Sequence, residues 1–160
     1  MGTITQALIM EHAVFCEVFE QIERVLANPV SASEVKLLAS VVEGLLRGHA
    51  ETETNLAYAA LDHALADRGL LNRLYQDHHE IDDHFKRIHH LTDPAEARVL
   101  LQKALTATRE HFRSEEKHVF PMLEKILQPD TLGMLGRKWA ENHSATRRGS
   151  TLQAASGAGW

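Results

Sequence analysis

A single cysteine, Cys16, stands in 160 residues, so no internal disulfide can staple this chain. Proline is scarce, at positions 29, 94, 121 and 129 only, which leaves long stretches where a helix can run unbroken. No apolar run approaches the roughly 20 residues a membrane span needs, so no membrane association is expected. No segment alternates apolar and polar residues as a half-buried strand does. Basic residues are outnumbered, 17 Lys and Arg against 22 Asp and Glu, and the formal charge of −5 counts against a nucleic-acid partner. Met1 to His12 lacks a basic leader and a long apolar core, so no secretory signal is expected. With the lone thiol, that points to a reducing, cytoplasmic location. P-loop, dinucleotide and G-x-S-x-G motifs are all missing. Histidine, by contrast, is abundant: 11 residues, several of them inside apolar periodic runs.

Four long amphipathic segments account for most of the chain. The first spans about residues 3–27, with Leu8, His12, Phe15, Phe19, Ile22 and Leu26 alternating four and three apart. Asn28-Pro29 stops it, and Ser31 to Glu34 reads as a capping box opening the second. The second carries Val35, Leu38, Val42, Leu45, His49, Glu53, Leu56 and Ala60 on one stripe and ends before the turn signal Asp67-Arg68-Gly69. The third, about 70–91, turns Leu71, Leu74, His78, Ile81, Phe85 and Ile88 inward. Asp93-Pro94 then supplies an N-cap and a first-turn proline. The fourth carries Leu101, Ala104, Thr108, His111, Glu115, Met122 and Ile126, with Pro121 expected to kink it or force a local adjustment. A short fifth helix is expected over about 130–145. The predicted fold is all-α: an antiparallel up-down-up-down four-helix bundle with a short C-terminal fifth helix. The bundle is expected over residues 1–148, followed by a small, polar, disordered tail over 149–160.

The chain also repeats itself. His49-x-x-x-Glu53 and His111-x-x-x-Glu115 share an offset of 62 (111 − 49, 115 − 53), and so do Tyr58 with Phe120 and Leu61 with Leu123. Glu11-His12 and Asp77-His78 form a second pair, offset by 66 (78 − 12), each followed by apolar residues at spacings of three, four and three. A lone His followed by His-x-x-x-Glu, used twice, reads as pseudo-twofold symmetry within one bundle. In such a bundle His12, His49, Glu53, His78, His111 and Glu115 meet on the axis. Bare, they would be costly, because buried polar groups need partners. A metal pair resolves the cost: two His on each ion, the Glu side chains bridging, a water-derived oxo or hydroxo bridge, and one position left open. Imidazole with carboxylate suits iron, manganese or zinc; an open position for oxygen species favours iron.

These motifs, in this order and with Phe120-Pro121 after the last, resemble the hemerythrin-like, HHE cation-binding domain family over roughly residues 5–127. The resemblance implies two iron ions in a non-haem di-iron site within a four-helix bundle. Leu74 stands where the oxygen-carrying members have a further His, so their five-His set is incomplete here. Those carriers place the last carboxylate five after its His, which would select Glu116; the upstream twin, Glu53, favours Glu115. His79 competes with His78, and the match to His12 favours His78. Tyr75 could reach the site as a ligand or through a hydrogen bond to one, and His118 falls beside the seam; His63 and His143 read as surface residues.

Three functions fit. The chain could bind oxygen, peroxide, nitric oxide or iron at a carboxylate-bridged site. It could consume peroxide, catalase-like, at the same site. Or it could be a zinc-binding or structural His-rich bundle. A homodimer or a separate signalling partner is left open.

Overall fold

In the structure, a computed structural model that describes residues 2–64 and 69–155, the described residues form helices and no strand. Helix α1 covers Ile4–Leu26, α2 Ala32–Thr52 and α3 Ala59–Ala64, with a π-helical segment, Glu53–Tyr58, joining α2 to α3 without a break. Then come α4 (Gly69–His90), α5 (Pro94–Ser114), a second π segment (Glu115–Val119), α6 (Phe120–Ile126) and α7 (Pro129–Ala155). The predicted second and fourth helices are therefore single rods, each with a π insert. The turn expected at Asp67-Arg68-Gly69 falls outside the described residues apart from Gly69, which opens α4. The fifth helix extends to Ala155, beyond the short element expected.

The helix starts are set by side chains that satisfy free backbone N–H groups. Ser31 and Glu34 close the predicted capping box, and Thr3 with Gln6 closes another at α1. Asp93 accepts from the N–H groups of Ala95 and Glu96, with Pro94 in the first turn. Cross-helix pairs fix the directions. Glu23 meets Arg109, His12 meets Glu116 and Thr5 meets Glu124, so α1 runs opposite to the α5–α6 rod. Glu43 meets His89 and Glu53 lies against His78, so the α2–α3 rod runs opposite to α4.

The apolar interior is in two parts. Phe15, Phe19, Ile22, Val42, Phe85 and Leu101 belong to one cluster; Leu8, Tyr58, Leu61, Leu74, Phe120 and Leu123 belong to the other. The buried polar side chains His12, His49, Glu53, His111 and Glu115 come from stretches of chain between these two clusters. Two details of the expected stripes are corrected. On α2, Leu45 is exposed, and Ala39 and Leu46 turn inward with Val42. Beyond each Glu the inward positions slip by one residue: Leu61 is fully buried where Ala60 was expected, and Leu123 is buried where Met122 and Ile126 were. The extra residue of each π turn is the cause.

Candidate metal centre

Each helical rod delivers its donors because a polar side chain replaces an apolar one on the inward stripe. His12 comes from α1, His49 from the end of α2, His78 from α4 and His111 from α5, while Glu53 and Glu115 are the first residues of the two π segments. All six predicted residues are brought together. Their four Nε2 atoms face in pairs: His12 to His49 at 3.1 Å and His78 to His111 at 2.9 Å. Glu53 lies between the pairs, with Oε1 3.1 Å from His49 Nε2 and 3.6 Å from His12 Nε2, and Oε2 3.7 Å from His78 Nε2. Glu115 Oε2 is 3.5 Å from both His12 Nε2 and His111 Nε2. Two donor groups result, sharing Glu53: His12, His49, Glu53 and Glu115, all buried, and Glu53, His78 and His111.

The set fits metal ions on its own chemistry. Glu53 Oε1 and Oε2 and Glu115 Oε2 are buried and accept no hydrogen bond from the described residues. Such atoms are costly unless something else binds them. Where both rings give their outer Nδ1 proton to a carboxylate, as His12 and His49 do, neutral rings turn two lone pairs toward each other, and a cation between them relieves that. The outer nitrogens are bonded instead. His12 Nδ1 meets Glu116 Oε1 at 2.9 Å, His49 Nδ1 meets Glu11 Oε2 at 3.0 Å, and His111 Nδ1 meets Asp77 Oδ2 at 3.3 Å. A carboxylate on the far nitrogen is the arrangement that aims a metal-binding imidazole and strengthens it as a donor.

The alternatives in the sequence separate by position. Glu115 is fully buried among the donors, whereas Glu116 is 41% exposed and serves His12 from outside. His78 reaches the cluster and His79 is exposed. Tyr75 packs edge-on against Tyr58, with ring centroids 5.5 Å apart, and is exposed in the groove beside His78. His118 is exposed, and His143 is not a bystander but contacts Glu11. Tyr58 donates its hydroxyl to Glu115 Oε1, a role the sequence did not reveal. Its pseudo-twofold mate, Phe120, stacks near His12 and has no hydroxyl to offer Glu53. Glu11, Asp77 and Glu116 were also missed as aiming groups; adjacency to His12, His78 and Glu115 was the only signal available.

The local charges sort the donors. Burial alone would push Glu53 up, but His49 and His12 acting together outweigh it and hold the carboxyl low. Burial and the neighbouring Glu53 charge drive Glu115 up, so of the two carboxyls Glu53 is the one that stays ionised. His49 is raised to about 9, because Glu53 and Glu11 outweigh its burial. His78 is lowered to about 4 by burial and by His111. Burial also lowers His111, and burial with the Glu53 and Glu115 charges raises the Tyr58 phenol, which keeps its proton.

A groove of about 590 Å³ between α2 and α4 reaches this cluster from one side, lined by Leu46, Ala50, Thr54, Tyr75, His78 and His111 among others. His78, at 19% exposure, is the most accessible donor. Among known proteins, a family model described as the Hemerythrin HHE cation binding domain matches residues 3–153. No curated protein and no solved structure gives a match.

Proposed function

Because the chain belongs to the hemerythrin HHE cation-binding domain family, we propose that it is a non-haem di-iron protein that binds a small exogenous ligand at a carboxylate-bridged site. Oxygen, peroxide and nitric oxide are the ligands suited to such a site. One observation carries the reading: three buried carboxylate oxygens without a hydrogen bond among the described residues stand beside four imidazole nitrogens turned toward one another. His12 and His49 would hold one ion and His78 and His111 the other. Glu53 presents one oxygen to each side, and Glu115 offers Oε2 between His12 and His111. Iron held there supplies a redox-active Lewis acid with a position open to the incoming molecule.

The chain's own residues supply the rest. Phe112, stacked on His12 with centroids 3.9 Å apart, covers that ring. The groove lined by His49, Tyr75, His78 and His111 gives a small molecule a way in. Tyr58 Oη keeps a proton against Glu115 Oε1, next to the donors.

That phenol favours a second reading at the same site, peroxide dismutation. The reaction balances without an outside reductant: two peroxides give two waters and one oxygen, one peroxide being oxidised and the other reduced. Metal analysis with an absorption spectrum tests the first reading. Bound iron with a spectrum that responds to oxygen, peroxide or nitric oxide supports it; zinc alone, or a chain that cannot take up iron, overturns it. Catalytic oxygen evolution from peroxide is expected under the second reading and not from a pure binder.

A further inference from the structure

The two halves of the cluster match in sequence but not in surroundings. His111 is aimed by Asp77, which is 33% exposed and 3.3 Å away. His49 is aimed by Glu11, which is 15% exposed and 3.0 Å away. What covers Glu11 is α7. Trp139 Nε1 donates to Glu11 Oε2 at 3.1 Å, and His143 Nε2 lies 2.8 Å from Glu11 Oε1, so both carboxylate oxygens are engaged. The two rings stack on each other with centroids 4.2 Å apart, and His143 Nδ1 meets the Trp139 carbonyl oxygen at 2.9 Å. A carboxylate held at both ends cannot swing away from its imidazole. No comparable clamp holds Asp77 among the described residues: its partner in the cluster is His111, and it is the more exposed of the two carboxylates.

We infer that α7 completes the first metal position: Trp139 and His143 are positioning residues that act through Glu11 on His49, and the His12–His49 position therefore fills before the His78–His111 position. This rests on the di-iron reading above. Groups that orient a metal-binding imidazole change affinity about 10- to 100-fold when removed. The pseudo-twofold repeat supplies an internal control, because Asp77 does for His111 what Glu11 does for His49 without help from α7.

Anaerobic titration of the metal-free full chain with Co²⁺, followed by the visible absorption of the bound ion, tests the inference. Two steps are expected for the wild type, the first tighter. Trp139→Phe and His143→Asn should each weaken the first step about tenfold and leave the second within about twofold, and Asp77→Asn should do the reverse. His143 is 38% exposed, so His143→Asn keeps the test available should Trp139→Phe fold poorly. Equal affinities in the wild type, an unchanged first step in His143→Asn, or equal weakening of both steps would overturn the inference and leave the di-metal reading standing. A wild type that takes up neither cobalt nor iron would sink both.

Discussion

An imidazole buried on a helix face needs both nitrogens accounted for, and here the outer one is bonded to a carboxylate at His12, His49 and His111 while the inner one faces the other donors. His49→Ala and His111→Ala are therefore expected to lose metal, and exposed His63→Ala to keep it; equal metal content in all three by elemental analysis would contradict the assignment. The metal-free chain should also respond to pH. His78 is lowered to about 4, so its contribution to stability is present above the unfolded value near 6.5 and lost as pH falls through about 4. His49 is raised to about 9, so its contribution is present below about 6.5 and lost as pH rises through about 9. Urea midpoints of the metal-free protein should decrease between about pH 6.5 and 9, where the raised Glu115 carboxyl acts in the same direction as His49; midpoints that climb across that window would refute this. The donors were legible in the sequence because an ionisable residue on an apolar stripe stands out. Glu11, Asp77 and Glu116 were not, since an acid on an exposed turn looks the same whether it faces water or an imidazole.

Two π segments decide how the donor-bearing rods meet the interior. At 3.6 residues per turn, a residue nine beyond His49 would lie about 180° away and point outward. Tyr58 sits nine beyond His49 and Phe120 nine beyond His111, yet both are buried. The π turns bring them round: Ala59 N–H reaches the Thr54 carbonyl and Phe120 N–H the Glu115 carbonyl, each bond spanning five residues. Deleting exposed Asn55 should restore an ordinary turn and rotate Tyr58 and Leu61 off the core. Each buried side chain so exposed costs about 2 kcal/mol, and metal should be lost with them. A deletion variant with wild-type stability and metal content would show that the π turn is dispensable. Pro121, by contrast, cannot be the sole cause of the second π turn, because the first has Ala59 in the matching place. Pro121→Ala is expected to retain metal, measured by elemental analysis alongside far-UV circular dichroism. The capping boxes were readable because they use particular residue types. Of the π turns, only the second was announced, as the local adjustment expected at Pro121; the first leaves no trace but a spacing of His, Glu, aromatic and Leu that an α-helix cannot turn to one side.

The molecule as a whole is two apolar clusters whose intervening chain carries a layer of buried His and Glu side chains. The bundle and its pseudo-twofold repeat could be read from periodicity alone, because each half repeats the same inward pattern. The length of α7 and its reach to Glu11 could not, because Trp139 and His143 carry no periodic signal that links them to a residue in α1. A bare donor layer is unfavourable, so metal should stabilise the whole fold. At free metal near 1,000 times its dissociation constant the gain is about 4 kcal/mol, a rise in melting temperature of roughly 10 °C for a chain of this size. Equal melting temperatures with and without iron would contradict that. Glu53 is the side chain common to both donor groups, so the most direct measurement is iron per chain after anaerobic loading of the wild type and Glu53→Ala. The expected result is about two irons in the wild type and loss from both positions in the variant. A wild type without iron, or a Glu53→Ala chain that still holds a full pair, would contradict the account.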